Sequence, residues 1–139
     1  MTVHLRKLAA RIEDIEELET IQAQKLKDYG TIFTYTRNTP KRKDDLLDGG
    51  SLYWVIKGQF RVRQEIIGFE EEMDDEGRKY CLIILKPGLV RTELKAQKAF
   101  QGWRYFEPKD VPPDLGDRSA AGDDLPDDMQ AELRDLGLL

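Results

Sequence analysis

Residues 51–63 read SLYWVIKGQFRVR, and this stretch decides the fold because two apolar runs flank a single glycine. Runs of β-branched and aromatic residues around a short loop predict a β-hairpin. A three-residue loop over residues 57–59 gathers the large apolar side chains on one buried face, namely Leu52, Trp54, Ile56, Phe60 and Val62. The other face is then exposed and carries Tyr53, Val55, Lys57, Arg61 and Arg63. Burial of one large apolar side chain contributes roughly 1.5–3 kcal/mol, which favours this register over a two-residue loop that mixes apolar and charged groups on both faces.

The segments on either side of the hairpin predict one long helix and further strands. From residue 12 to residue 26, apolar residues recur every three or four positions, and Gly30 ends this helix. Strands are predicted at residues 3–7, 32–37, 51–57, 60–71, 79–86 and 89–93, with a turn at residues 74–77. Residues 80–85 are apolar at every position, which predicts a central strand covered on both sides, one cover being the long helix. We therefore expect an α+β fold, either a curved, mainly antiparallel sheet or a partly closed small β-barrel, with one long helix packed on it.

Composition and charge describe a globular protein with an acidic tail. The chain is 40% hydrophobic and 35% charged, and its longest apolar run has the length of a strand, so we expect no membrane partner. The single cysteine excludes an intramolecular disulfide, and the N-terminus lacks a secretory pattern, which predicts a cytoplasmic location. Residues 107–139 hold ten acidic and three basic residues, a charge of −7, whereas residues 29–63 carry +4. We expect the acidic tail to dock reversibly beside these basic residues.

The composition changes after Pro108, where Asp, Pro, Gly, Ser and Ala become frequent. This change predicts a single α+β domain over residues 1–109, followed by an acidic Pro/Asp-rich linker and a short C-terminal helix over residues 110–139. Met129, Leu133 and Leu136 form an apolar stripe on that helix.

The candidate binding site begins with the basic residues Lys41, Arg42 and Lys43. Thr39 and Pro40 are typical of a helix start, so a short helix over residues 39–48 would carry these cations at its N-terminal end. The helix dipole disfavours cations there, and such an arrangement concentrates positive potential, as an anion site requires. Interleaved aromatic residues add stacking surface of the kind found in single-stranded nucleic-acid binders. The predicted anion- or nucleic-acid-binding residues are Arg37, Lys41, Arg42, Lys43, Tyr53, Lys57, Arg61, Arg63, Trp103 and Arg104.

Each of these groups has a plainer structural alternative. The cations would pair with Asp44, Asp45 and Glu65 on an ordinary sheet surface. Residues 100–106 either close the sheet and cap the core, or form a pocket wall with Arg104 as an anion donor. The acidic run EEEMDDE at residues 70–76 either binds a hard cation or is a solvated hairpin end.

No catalytic residue, metal site or cofactor is predicted. His4 is the only histidine in the chain, so a site with several histidine ligands is impossible. Cys81 lies among apolar residues in the middle of a predicted strand, where a buried, inert thiol is expected rather than a nucleophilic pair with His4. The sequence contains no phosphate-binding glycine loop, nucleophile elbow or metalloprotease motif.

Two blocks carry a family resemblance, TPKRKDDLLDGGSLYWVIKG at residues 39–58 and AFQGWRYFEPKDVPPDL at residues 99–115. They resemble the signature blocks of domain-of-unknown-function family 1489, an uncharacterised bacterial (alphaproteobacterial) family. The resemblance implies a stand-alone bacterial cytoplasmic protein and brings no assigned activity or catalytic residue. The order of elements is also similar, at the level of fold alone, to small β-barrels of the PUA and ASCH type, which bind RNA or modified nucleotides.

Three functions fit these features. The first is a non-enzymatic module that binds RNA or a nucleotide-like anion on a basic face, with cations on phosphates and aromatic rings on bases. The alternative is an enzyme that acts on a small anionic substrate in a pocket walled by Trp103, Arg104 and Tyr105. A second alternative is a protein-interaction module that uses the acidic tail. The oligomeric state is open in all three.

Overall fold

Residues 1–115 form seven strands and two helices, and this is the part of the chain that the structure, a computed structural model, describes. In chain order the elements are β1 (His4–Leu8), α1 (Ile15–Tyr29), β2 (Ile32–Thr36), α2 (Lys43–Leu46), β3 (Ser51–Ile56), β4 (Gln59–Met73), β5 (Lys79–Leu85), β6 (Val90–Ala96) and β7 (Trp103–Phe106). The predicted long helix and the predicted strands are all present, which confirms an α+β fold dominated by its sheet. In this described part, no helix is long and apolar enough to cross a membrane.

The strands form one mixed sheet in the order β2-β5-β4-β3-β1-β7, and β6 pairs with β4 outside this path. β1 and β3 run parallel, whereas the other five pairings are antiparallel, so the sheet is mainly antiparallel as predicted. The first half of the long strand β4 pairs with β3 and β6, and its second half pairs with β5. β2 and β7 end the path without pairing with each other, so the sheet of residues 1–115 is not closed into a barrel.

The central hairpin, β3 and β4, keeps the predicted register only away from its turn. Trp54 opposes Val62 as predicted, but nearer the turn Ile56 opposes Gln59 instead of Phe60. The prediction of a three-residue loop is therefore wrong. A β-bulge between the two regions absorbs the difference of one residue.

The loop of this hairpin consists of two residues, Lys57 and Gly58, whose φ angles are 50° and 75°. Positive φ at both loop residues gives a turn whose twist matches that of the flanking strands. The extra residue of the bulge is Arg61, which leaves Phe60 opposite Val55. Because a shift of one residue exchanges the faces of a strand, Phe60 lies on the face opposite to the one predicted for it.

Apolar clusters cover both faces of the hairpin. The main cluster contains Trp54 and Val62 together with Leu5, Leu18 and Ile83. A second cluster covers the other face and consists of Tyr53, Val55, Phe60 and Phe106. The rings of Phe60 and Phe106 stack with their centroids 4.8 Å apart. The predicted solvent-exposed face is therefore wrong, because β7 brings Phe106 onto it.

Arg61 and Arg63, both predicted to be exposed, are fixed by the protein itself. Arg61 is only 3% exposed, and its Nε donates a hydrogen bond to the carbonyl oxygen of Ile56 at 2.9 Å. Arg63 is partly buried and forms two hydrogen bonds with the carboxylate of Asp114, at 2.8 Å and 2.7 Å. A buried guanidinium needs such partners to offset its desolvation. Both arginines are therefore structural, and the predicted open basic sheet face is absent.

Helix α1 is capped at both ends, and Gly30 ends it as predicted. The side chain of Asp14 accepts a hydrogen bond from the backbone N–H of Glu17 at 2.8 Å, which satisfies one free N–H of the first turn. At the other end Gly30 adopts φ 76°, and its N–H bonds to the carbonyl oxygen of Leu26. The helix places Ile15 and Leu18 in the main cluster and packs beside β2.

A buried polar contact also joins α1 to the sheet. Nε2 of Gln22 donates to Oε1 of Gln64 at 2.7 Å, and Nε2 of Gln64 donates to Oε1 of Gln22 at 2.9 Å. Gln64 also accepts from Nε1 of Trp54 at 3.3 Å and donates to the carbonyl oxygen of Lys86 at 2.9 Å. These four bonds use the full capacity of the Gln64 amide, two donors and two acceptors.

Strand β5 is central in the sheet but is fully covered on one face only. Cys81, Ile83 and Leu85 are buried, whereas Leu82 and Ile84 are half-buried. The prediction that both faces of β5 are covered is therefore right for the face that packs against the main cluster. The other face of β5 is covered only in part.

Helix α2 is shorter than predicted, four residues rather than a helix over residues 39–48. The backbone N–H of Arg42 donates to the hydroxyl oxygen of Tyr105 at 3.1 Å, which holds the preceding segment in a turn. The backbone at Gly50 lies so close to the carbonyl oxygens of Val3 and Leu46 that a Cβ at this position would collide with them. One helical turn has little dipole, so the argument for an anion site at its N-terminus no longer holds.

The chain beyond the predicted domain boundary at residue 109 continues to contact the sheet. The N–H of Glu93 bonds to the carbonyl oxygen of Pro113, and the N–H of Leu115 bonds to that of Arg91. Asp114 pairs with Thr92 as an isolated bridge and binds Arg63. The predicted C-terminal helix and its apolar stripe lie outside the described residues.

Candidate functional site

Two adjoining clefts of about 700 and 520 Å³ lie at the opening between the end of β2 and β7. Arg37 and Tyr80 line both clefts. The larger cleft also contacts Lys7, Tyr35 and the turn after β4, and the smaller one contacts Lys41, Lys79, Trp103 and Tyr105. We call the two together the edge cleft, because it lies where the two end strands of the sheet approach without pairing.

Aromatic rings form one wall of the edge cleft. Trp103 and Tyr105 lie on one face of β7, opposite to Arg104 and Phe106, and their rings meet edge to face with centroids 4.8 Å apart. Nε1 of Trp103 donates to the carbonyl oxygen of Asn38 at 2.9 Å, which fixes the indole across the opening. On the other side Tyr35 and Tyr80 lie with ring centroids 5.8 Å apart. These rings offer flat apolar surface to a ligand.

Three cations surround these rings without an acidic partner. Nη1 of Arg37 donates to the carbonyl oxygen of Lys79 at 3.2 Å, and the side chains of Arg37 and Lys79 are exposed. Lys41 is exposed at the rim of the smaller cleft. Within residues 1–115, none of the three forms an ion pair, so each keeps a charge that is available to an anion.

Carboxylates are also present at this opening. Glu71 lines the smaller cleft, and Asp74 and Asp75 line the larger one. Oδ1 of Asp74 accepts hydrogen bonds from the backbone N–H groups of Glu76 and Arg78, so this carboxylate holds the turn between β4 and β5. The edge cleft therefore combines cationic and acidic groups instead of presenting a uniformly basic surface.

Two other predicted binding residues, Arg42 and Lys57, form ion pairs with acids of the protein. Nε of Arg42 binds Asp45 at 3.0 Å, and its Nη1 lies 3.4 Å from Glu107. These contacts raise the pKa of Arg42 and lower that of Asp45. Lys57 pairs with Glu13 at 3.4 Å. Of the acids that the plainer alternative named, Asp45 pairs with Arg42, whereas Lys57 pairs with Glu13 instead.

The remaining predicted residues do not reach the edge cleft. Tyr53 is buried in the second cluster, and this burial raises the pKa of its hydroxyl. Arg104 lies on the outer side of β7, where its guanidinium is 5.6 Å from the centroid of the Phe100 ring. Lys43 is exposed on α2 and does not line the cleft. Of the ten predicted residues, the structure brings together Arg37, Lys41 and Trp103.

Lys7 is a candidate that the sequence analysis missed. In the sheet it is registered with Trp54 on one side and Trp103 on the other, so it shares their inward face. Its Nζ lies 6.0 Å from the centroid of the Trp54 ring, and burial, followed by the charge of Lys25, lowers the pKa of Lys7. The available signal was the alternation of residues 3–7, which places a lysine on the face of two apolar residues.

The structure separates the two residues considered as a nucleophilic pair. Nδ1 of His4 accepts a hydrogen bond from the N–H of Ser51 at 3.0 Å, and burial together with Arg63 lowers the pKa of its ring. Cys81 lies in β5, with β3 and β4 between the two strands, and burial raises the pKa of its thiol. A buried thiol of raised pKa is a poor nucleophile. Residues 1–115 also contain no group of three or more His, Cys, Asp or Glu side chains that could hold a metal ion.

Comparison with known proteins identifies a family. The model of the family described as "Protein of unknown function (DUF1489)" matches residues 5–139. The chain belongs to this family. No curated protein and no solved structure matches it.

In this DUF1489 protein, the two sequence blocks that suggested the family meet at the edge cleft. The hydroxyl of Tyr105, from the second block, accepts from the N–H of Arg42 in the first block. Beside this contact, the indole of Trp103 is bound to the carbonyl oxygen of Asn38. The blocks are 40 residues apart in the chain, between residues 58 and 99, and pairing of β1 with β3 and β7 brings them together.

Proposed function

We propose that this DUF1489 protein is a non-enzymatic module that binds RNA or a nucleotide-like anion in the edge cleft. The observation that carries the proposal is the placement of Arg37, Lys41 and Lys79, three cations that form no ion pair within residues 1–115, around exposed parts of Tyr80 and Trp103. The bacterial origin and cytoplasmic location implied by the sequence belong to the same proposal.

The chemistry of the edge cleft suits a phosphate joined to a planar base. Arginine and lysine neutralise phosphate, and stacking of a base on an aromatic ring contributes roughly 1–3 kcal/mol. The carboxylate of Glu71 lies on the same side and would accept hydrogen bonds from the amino group of a base. The acids at the opening repel a long polyanion, which favours a mononucleotide or a short single-stranded segment.

The test measures fluorescence anisotropy of a labelled RNA of about eight nucleotides, with adenosine monophosphate as competitor. The double variant Arg37→Gln/Lys41→Gln should weaken RNA binding, and the slope of log K against log salt should flatten by about 0.7 for each cation removed. Trp103→Leu should weaken binding through lost stacking with little change in this slope.

The matched control is Lys27→Gln/Lys98→Gln, which removes the same charge from exposed positions outside the cleft. It should leave affinity within about twofold of the original protein, as expected for screened charges at a distance. Equal weakening by both double variants would show that only net charge matters, and the proposed site would be wrong.

The enzyme alternative required a pocket walled by Trp103, Arg104 and Tyr105. Trp103 and Tyr105 line the smaller cleft, whereas Arg104 contacts the outer side of β7. The binding role is favoured because the cations that line this cleft are Arg37, Lys41 and Lys79 rather than Arg104. The interaction module based on the acidic tail concerns residues largely outside the described part of the chain.

A further inference from the structure

A third cleft lies between α1, β1 and β2, on the other side of Lys7 from the edge cleft. It has a volume of about 240 Å³, and among residues 1–115 only Lys7 lines both it and the edge cleft. Its apolar wall is formed by Leu18 and Ile21 of α1, Phe33 of β2 and Trp54 of β3. We call it the helix cleft.

Two lysine side chains line this apolar space. Nζ of Lys25 donates to the carbonyl oxygen of Phe33 at 2.7 Å and lies 4.9 Å from the centroid of the Phe33 ring. Lys7 reaches the cleft from β1, beside the Trp54 ring. Neither ammonium group forms an ion pair with any of residues 1–115. The single bond of Lys25 leaves two of its three N–H donors for a ligand.

The surroundings of these lysines disfavour their charged forms. Burial lowers the pKa of both Lys7 and Lys25, and the charge of Lys25 lowers that of Lys7 further. Two like charges that are partly removed from water carry a cost that a shared anion offsets. The two ammonium groups would therefore attract a negatively charged group, and the apolar wall of the cleft lies beside them.

The geometry points to the helix cleft as a binding site for a small amphipathic carboxylate, an organic acid with a short apolar chain. Its carboxylate would lie between the ammonium groups of Lys7 and Lys25, and its chain would pack against Leu18 and Trp54. The volume is below the range of about 300–1,000 Å³ that is usual for sites of drug-sized ligands, which limits the ligand to a few carbon atoms beyond its carboxylate. This site does not depend on nucleotide binding in the edge cleft.

The two tryptophans of the chain allow each cleft to be followed separately, because Trp54 lines the helix cleft and Trp103 the edge cleft. In a Trp103→Phe variant, the fluorescence of Trp54 reports on the helix cleft alone. The probes are hexanoate, hexanamide and hexylamine, which share a chain and differ in charge. Hexanoate should produce a saturable change, hexanamide should bind at least about tenfold more weakly, and hexylamine should not bind, because a charge-assisted bond contributes about 1.5–3 kcal/mol.

Lysine substitutions in the same Trp103→Phe variant test whether Lys7 and Lys25 bind the carboxylate of hexanoate. Lys25→Met and Lys7→Met should each weaken hexanoate binding about tenfold or more, with hexanamide affected little. Lys27→Met removes an exposed lysine from the same helix and should change neither. Lys25 lines only the helix cleft, so its variant decides the question even if the Lys7 variant does not fold.

The pH dependence gives an independent readout. The charged groups that share a cleft with Lys7 are Lys25 from α1, Arg37 beyond β2, and Asp74 and Asp75 from the turn after β4. Because hexanoate requires protonated lysines and the pKa values of both are lowered, raising the pH should weaken hexanoate binding before the ordinary lysine pKa of 10.5 is reached.

Equal affinity for hexanoate and hexanamide, no saturable signal, or equal weakening by Lys27→Met would each overturn the site. Arg37→Gln/Lys41→Gln, which acts on the edge cleft, should leave hexanoate binding unchanged, so failure of one proposal is distinguishable from failure of the other.

Discussion

Replacing Gln64 with methionine should reduce the free energy of unfolding by about 2–4 kcal/mol, although methionine fills a similar volume. Gln64 is fully buried and makes four hydrogen bonds, two with Gln22, one with Trp54 and one with Lys86. Each bond contributes about 1 kcal/mol net, and the apolar side chain recovers part of the loss through its own burial. After the substitution, the polar atoms of Gln22, Trp54 and Lys86 that bonded to Gln64 lose this partner. The variant is therefore expected to be less stable than the original protein.

The magnitude depends on which partner can reach water. Gln22 as a residue is 6% exposed and lines the helix cleft, so a small rotation would bring its amide to water. Nε1 of Trp54 is buried beside Gln64, and the carbonyl oxygen of Lys86, just after β5, is partly buried. Gln22→Met should therefore cost less, about 1–2 kcal/mol, because Gln64 keeps its bonds to Trp54 and Lys86.

Urea unfolding followed by circular dichroism measures these differences, with Gln24→Met on the exposed side of α1 as the matched control. The double variant Gln22→Met/Gln64→Met should cost less than the sum of the single variants by about 1 kcal/mol or more, since the same two bonds are removed in both. A loss below about 0.5 kcal/mol for Gln64→Met, or strictly additive effects, would refute the reasoning.

Gly50→Ala should destabilise far more than Gly68→Ala, because only at Gly50 would a Cβ collide with backbone oxygens; thermal unfolding of both variants checks this. Stability should decline as the pH falls below about 6.5, since the lowered pKa of His4 means that the unfolded chain binds its proton first, and His4→Gln should flatten this slope in urea unfolding above pH 5. Asp114→Asn should cost only about 0.2–1 kcal/mol, because its pair with Arg63 is partly exposed. The bond to Arg63 lowers the pKa of Asp114, so the pair contributes to stability when the carboxylate is charged. This contribution is lost as the pH falls through the pKa of Asp114 in the folded protein, and NMR titration of the carboxylate measures that pKa.

Features that depend only on residues close together in the sequence could be predicted from the sequence itself. The apolar period of three and four residues, with Asp14 at one end and Gly30 at the other, fixes α1. The acidic turn ending in Gly77, whose φ is 80°, fixes the connection between β4 and β5. The alternation along residues 103–106 puts Trp103 and Tyr105 on one side of β7, where their rings meet. These signals are local, so they survive without knowledge of the fold.

The tertiary structure alone decided which charges are available. The burial of Arg61 depends on a one-residue bulge in the hairpin and on the packing of Phe106 from β7. The residues next to Arg61 in the sequence predict neither feature. The difference between Arg63 and Arg37 is likewise a matter of long-range contacts, since Asp114 binds the first and no acid binds the second within residues 1–115. Lys7 becomes a candidate only because β1 lies between β3 and β7, with Lys25 close by on α1. Charge and burial are properties of the assembled neighbourhood, and strand pairing between distant segments creates that neighbourhood.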